Sequence, residues 1–359
     1  MLNIQDKQLH FIVGIGRSGT TLLTKILNKH SDIQCKPEAN FLLFFLHHFK
    51  QQIGFKSSDI DLIFDQIKTY SLSHPIVGWN FDFDSAKNRI KKICDSDKNL
   101  SYKNLCKHIY EQFETEGIEK TNAKIIIDKN PGYTILIDKL YEFSKDSKFI
   151  WLLRDYRANV LSRKQSAYLK SPAVAFNAIR WLYFNRIALN FQKKYPDNVL
   201  IVRYEDLVSN DRDITKEIYN FLKVDPNKIQ NTDNITFKPS HNIPALKNHE
   251  KYLTKKYSDL NQPMNTSRVS SWKTELNNKE IILCETICGN FAEQFGYQIT
   301  QKISNYIKAK NILVYLLLIT KSIYDIEKDR ILYYAPIHYK IKRLKIRHLR
   351  LNLDSTNTT

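Results

Sequence analysis

Apolar residues fall into short runs that end in polar turns, and most of these turns lead into residues spaced for a helix. Residues 9–13, 124–127, 148–153 and 198–202 read as strands, with residues 34–36 as a weaker fifth. Residues 40–113 carry the spacing of several helices, and 172–195 that of one long helix opened by Pro172 in its first turn. Residues 223–271 read mostly as loop, and helix spacing returns at 275–295. Strand and helix signals alternate without an internal repeat, which predicts an α/β fold: a central parallel sheet flanked by helices. Past Gly296 the pattern changes to Ile, Leu, Tyr and basic residues with no strand. The expected organisation is therefore one α/β domain, residues 1–299, and a basic helical C-terminal appendage, residues 300–359.

Charge changes this picture more than bulk composition does. Against 37 Asp and Glu stand 55 Lys and Arg, a net +18 with histidines neutral, so the surface field attracts anions. Nucleotides, nucleic acid, sulfated glycans and acidic lipid all fit that field. The 42% hydrophobic and 12% aromatic content suffices for one large core or two modest ones, and excludes a disordered or collagen-like chain. Cys35, Cys94, Cys106, Cys284 and Cys288 form no C-x-x-C pair, so neither a disulfide scaffold nor a zinc site is expected. Residues 1–10 lack the apolar region of a signal peptide. The longest apolar run, 312–319, falls well short of the roughly 20 residues that span a bilayer. A reducing, cytoplasmic setting is the expectation. In the tail, Lys340, Lys342, Arg343, Lys345, Arg347 and Arg350 interleave with Ile341, Leu344 and Leu351. Two readings stay open there: a solvated helix on the body, or peripheral contact with the anionic inner face of a membrane. Heavy use of Lys, Asn and Ile points to an AT-rich, bacterial genome.

Two turns carry candidate chemistry. After the first strand comes Gly14-Ile15-Gly16-Arg17-Ser18-Gly19-Thr20-Thr21, two glycines five apart as in a Walker loop, with Thr20 where that loop has lysine. Glycines let successive backbone N–H groups curl inward, and the helix starting near Ser18 adds its positive end, which makes a phosphate cradle. Without the lysine, and with no Walker B carboxylate, magnesium-assisted γ-phosphoryl transfer is disfavoured. After the third strand, Arg154-Asp155-Tyr156-Arg157-Ala158-Asn159-Val160-Leu161-Ser162 sets an arginine at the strand end and a serine eight residues on. A guanidinium there can fork onto a phosphate that the serine reaches from the following helix.

Together the two segments resemble the 5′-phosphosulfate and 3′-phosphate motifs of the sulfotransferases, which move a sulfuryl group from 3′-phosphoadenosine 5′-phosphosulfate (PAPS) to an acceptor, leaving 3′-phosphoadenosine 5′-phosphate (PAP). Softer matches at Tyr204-Glu205-Asp206-Leu207 and Trp272-Lys273 extend the resemblance over most of the chain to Tyr297. The resemblance implies a P-loop-like sulfotransferase fold, PAPS as cofactor, and no metal. It places Gly16, Arg17, Ser18, Gly19, Thr20, Thr21, Arg154, Ser162, Tyr204, Arg268 and Ser270 at the nucleotide. The segment from His30 to Glu38 is similar to the tyrosylprotein sulfotransferase branch and to bacterial relatives, which implies Glu38 as catalytic base. Asp128-Lys129-Asn130-Pro131 is similar to that branch's Lys-Asp-Pro, with Asn130 in place of the aspartate, and implies Lys129, with Arg17, as the clamp on the leaving group.

Bland readings stand beside these. Against the catalytic reading, Glu38 can be only a first-turn residue favoured by the dipole of the helix that follows, Lys129 a surface lysine, and Tyr204 and Trp272 core. The acceptor pocket falls to the 40–113 helices and the 223–271 loop, which carry no readable code. A glycan or glycolipid acceptor suits the basic tail, and a tyrosyl peptide suits the pairing of Glu38 with Lys129. A P-loop nucleotide kinase and a non-enzymatic anion-binding module are the competing functions. Nucleic-acid binding is not expected, because the basic residues gather at two turns and the tail rather than between aromatics on a sheet face.

Overall fold

The computed structural model describes residues 2–36, 38–73, 82–113, 122–166, 173–209, 213–230, 266–301, 320 and 322–356. Five strands, β1 (Gln8–Gly14), β2 (Ile33–Lys36), β3 (Ile125–Lys129), β4 (Phe149–Leu153) and β5 (Val199–Arg203), form one sheet in the order β2-β3-β1-β4-β5. Every pairing is parallel. Side chains alternate across it. Leu9, Phe11, Val13, Ile126, Phe149, Trp151 and Leu153 enter one core, while Ile12, Ile125, Ile127, Ile150 and Leu152 enter another on the opposite face.

The main helices among the described residues are α1 (Thr20–Leu27), α2 (Phe41–Phe49), α3 (Ser57–Ser73), α4 (Phe83–Ser96), α5 (Tyr102–Glu111), α6 (Ile137–Phe143), α7 (Tyr156–Lys164), α8 (Val174–Lys194), α9 (Tyr204–Ser209), α10 (Ile214–Leu222) and α11 (Asn278–Ala292). Two further helices, α12 (residues 322–334) and α13 (Ile337–Thr356), lie in the tail. Because β1 sits between β3 and β4, the chain leaves β1 towards one sheet edge and later crosses to the other. Such a switch point opens a ligand crevice at the carboxyl ends of the strands.

The expected α/β fold is present, and the differences are local. The weak fifth strand is a true edge strand. Strand β3 runs two residues past the expected end at 127, because Asp128 and Lys129 continue the ladder opposite Phe11 and Ile12 despite their polarity. The long helix spans Val174–Lys194, and Pro172 lies outside the described residues. The helix expected at 275–295 is broken. Leu276 is extended, and Asn277 starts α11 with a capping box in which its side chain and that of Glu280 exchange bonds with each other's backbone N–H.

In the tail, Ile326 and Tyr333 are buried in the main core, and α13 packs on α3. Lys340, counted with the outward basic cluster in the sequence, points inward instead. It is 5% exposed, its Nζ donates to Phe44 O at 2.8 Å, and it lies over the Phe44 and Tyr333 rings. Its long apolar stem makes that burial tolerable. Among the described residues no helix is long and apolar enough to cross a membrane. The run 312–319 lies outside them.

Candidate active site

The turn after β1 is shaped by close approach. Gly14 has φ 136°, and a Cβ there would meet Leu152 O of the neighbouring strand at 2.5 Å. Gly19 has φ 98°, and its Cβ would strike the Tyr204 ring at 2.4 Å. Between them Arg17 holds φ 76°, a left-handed conformation that costs a non-glycine residue energy and is typical of functional turns. Helix α1 starts at Thr20 without a side-chain cap, so its first N–H groups are not taken by one. Asn159 of α7 clasps the turn, its Nδ2 donating to Gly16 O and to Ser18 Oγ, each at 3.2 Å. Thr134 Oγ1 closes it from the other side, bonded to both Gly14 N and Gly14 O at 2.7 Å.

Cations converge on this turn. Arg17 Nε donates to Ser162 Oγ at 3.1 Å, joining the two motifs directly. Arg154, 6% exposed, reaches Arg17 O (3.0 Å) and Arg268 O (2.8 Å) with the two arms of its fork, while its Nε has no partner among the described residues. Its guanidinium lies 4.4 Å over the Tyr204 ring. Burial, reinforced by Arg17 and Arg268 and opposed by Tyr204 and Glu205, holds its proton affinity below the usual arginine range. Arg163 is buried too, and a Cβ on Gly16 would lie 3.8 Å from its Nη1. Burial, with Arg180 and Arg17 nearby, pulls Arg163 down to about 9, a sign of positive charge crowded away from water.

The second cluster lies at the end of β3. Lys129 Nζ donates to Glu38 Oε1 at 3.0 Å, with the lysine side chain 7% and the glutamate 30% exposed. Glu38 stands outside α2, which starts at Phe41, so it is not a first-turn residue. Next to this pair, Tyr110 OH donates to Asp128 Oδ2 at 2.5 Å, and Asp128 Oδ1 has no partner among the described residues. Burial pushes the Asp128 carboxyl up to about 7, against the opposing pull of the Tyr110 hydrogen bond and Lys129.

Gly16, Arg17, Ser18, Gly19, Thr20, Arg154, Ser162 and Tyr204 thus meet at one end of the sheet, with Thr21 in the first turn of α1. Ser18 is fully buried and its hydroxyl accepts from Asn159, which turns the side chain into the loop. Arg268 reaches the cluster through its carbonyl. Ser270, on the turn Ser267–Ser270, is exposed and makes no hydrogen bond to the cluster among the described residues. Trp272 is core, packed with Ala158, Leu161, Leu276 and Ile281 under the Arg157 guanidinium. Sequence reasoning assigned no role to Asn159, Arg163 or Asp128. Asn159 and Asp128 lie inside motifs already singled out, whereas only the fold brings Arg163 back to Gly16.

The model of the sulfotransferase family matches residues 10–227, more than half of the chain, and the chain belongs to that family. A relative from Caenorhabditis briggsae, provisionally named a protein-tyrosine sulfotransferase, is 25% identical over 225 residues, 60% of this chain. The chain spans 65% of that relative's length, under two thirds. Among solved structures, the sulfotransferase domain of the Synechococcus PCC 7002 olefin synthase covers 78% of this chain and 94% of its own, with 19% identity and TM-score 0.47. The sulfotransferase domain of the curacin biosynthetic pathway covers 82% and 99%, with 18% identity and TM-score 0.47. At these values the family model, and not the structural likeness, carries the assignment.

Proposed function

We propose that the chain transfers the sulfuryl group of PAPS to an acceptor hydroxyl, releasing PAP. The observation that supports this reading most is the Arg17–Ser162 hydrogen bond, which brings together motifs 145 residues apart. Around it the buried guanidinium groups of Arg154 and Arg163 have no ion-pair partner among the described residues, a surplus of charge that suits a ligand with phosphate at both ends. Bound there, PAPS supplies an activated sulfur and a phosphate leaving group.

The chain's own residues divide the remaining work. The backbone of Gly16 to Thr21 and the start of α1 hold the 5′ side, Arg154 and Ser162 the 3′-phosphate, and Tyr204 the nucleotide, with Arg268 and Ser270 in the segment that covers it. Glu38 takes the acceptor's proton as the acceptor oxygen bonds to sulfur. The bond from sulfur to the bridging oxygen breaks, its electron pair stays on the phosphate, and Lys129 and Arg17 balance the charge that develops. The favoured acceptor is a carbohydrate or glycolipid hydroxyl. The name of the Caenorhabditis briggsae relative supports a second acceptor class, a tyrosyl peptide.

Separate losses of binding and turnover test these roles. Glu38→Gln should keep PAP affinity and lower turnover by about 10²–10⁴-fold, the usual worth of general-base catalysis. Arg154→Ala should weaken PAP by at least about tenfold. Equal loss of PAP binding in both variants would sink the assignment.

A further inference from the structure

A cavity of about 360 Å³ begins one residue beyond Lys129 and two beyond Glu38, at Asn130 and Asn40. That volume is at the small end of the roughly 300–1,000 Å³ typical of ligand sites. One wall is the body, with Leu43 and Phe44 of α2 and Tyr133 and Leu136 of the turn after β3. The facing wall belongs to the tail, with Leu332 and Tyr333 of α12 and Lys340, Arg343 and Leu344 of α13. The sequence assigned the acceptor pocket to the 40–113 helices and the 223–271 loop, and gave the tail no part in it. These tail residues also lie beyond 227, where the family match ends.

Two features of the lining select a ligand. Asn130 is 6% exposed and its Nδ2 has no hydrogen-bond partner among the described residues, a donor at the end of the cavity next to Lys129. Leaving such a group unpaired is costly, so a ligand oxygen there would be favoured. Towards the tail the cavity is cationic, with Lys340 and Arg343 against the single lining carboxylate, Asp329. Lys340 is already bonded to Phe44 O. Arg343, half-buried, makes no hydrogen bond or ion pair among the described residues. Between these polar ends the lining is leucine and aromatic rings.

We propose that α12 and α13 complete the acceptor pocket, and that it takes a hydroxyl acceptor with an apolar body and an anionic group: the hydroxyl at Asn130 beside Glu38 and Lys129, the body along Phe44 and Tyr333, the anion on Arg343. This inference rests on the sulfuryl-transfer reading above.

Four probes separate the two recognition elements: ω-hydroxyoctanoate, octanol, glycolate and ethanol, each offered with PAPS to the full-length chain. The ω-hydroxyoctanoate, with its hydroxyl and carboxylate at opposite ends of an apolar body, should exceed octanol in kcat/KM by about tenfold, the worth of one charge-assisted hydrogen bond, and both should exceed the short alcohols. Arg343→Ala should erase the advantage of the carboxylate without changing PAP affinity, while Lys342→Ala, an exposed neighbour outside the lining, should keep it. Calorimetric binding of ω-hydroxyoctanoate to the PAP-loaded chain gives a readout that needs no turnover. Absence of that binding, equal rates with all four probes, or a tyrosyl peptide turned over as well by Arg343→Ala as by the parent chain would overturn the pocket. Failure of the parent chain to bind PAP would instead overturn the donor reading.

Discussion

Arg157 and Asp128 show how a buried charged side chain can support the fold in one motif and burden it in the next. Arg157 forks onto Asp155, reaches Glu285 at 2.7 Å and donates to Gln298 O. It therefore fastens the turn after β4 to α11 and to the chain past it. Arg157→Ala strands buried Asp155 and Glu285, and should cost about 3–5 kcal/mol in urea unfolding; a loss under about 1 kcal/mol would contradict this. Asp128 works the other way. Its folded carboxyl holds a proton more tightly than an unfolded aspartate, so it costs stability above pH 7, and the cost fades as pH falls from 7 towards 4. Asp128→Asn should raise the melting temperature most at pH 8 and least near pH 4, a gain of a few kcal/mol at most given about 1.4 kcal/mol per pH unit. A gap that stays constant with pH would contradict it. Arg154 and Ser162 were legible in the sequence because their spacing states their geometry. Arg163 was not, since its place beside Gly16 depends on how α7 packs.

The turns that end β1, β3, β4 and β5 do what their local chemistry dictates. Gly19 is obligatory because Tyr204 packs where its Cβ would be. Gly19→Ala should therefore shift the loop, and should weaken PAP binding by about tenfold or more while costing about 1–3 kcal/mol of stability. Unchanged affinity would mean that the loop does not touch the nucleotide. The strands themselves were readable from runs of β-branched and apolar residues. Their ends were not, because ladder pairing carries Asp128 and Lys129 into β3 against the polarity signal. Asn277 breaks a helix that periodicity alone joins, and its signature, Glu280 three residues on, was present in the sequence.

Across the molecule, the tail is where the sequence said least. Its basic residues read as an outward face, yet Ile326, Tyr333 and Lys340 turn inward, and burial draws Lys340 down to about 8. Ending the chain at Gln301 removes Ile326 and Tyr333 from the core and should cost about 3–6 kcal/mol from those two side chains alone. An unchanged urea midpoint would show that the tail rests on the body without supporting it. The tail's inward side chains depend on α2 and α3, elements some 300 residues earlier, which no local pattern could report.

Calorimetric titration of the full chain with PAP, beside AMP and ATP and both without and with magnesium, bears most directly on the anion site. If the joined motifs hold a 3′,5′-bisphosphate, PAP should bind at least about a hundredfold more tightly than AMP, the worth of two charge-assisted hydrogen bonds to the 3′-phosphate. Equal affinity for PAP and AMP, or a preference for ATP that appears with magnesium, would contradict it.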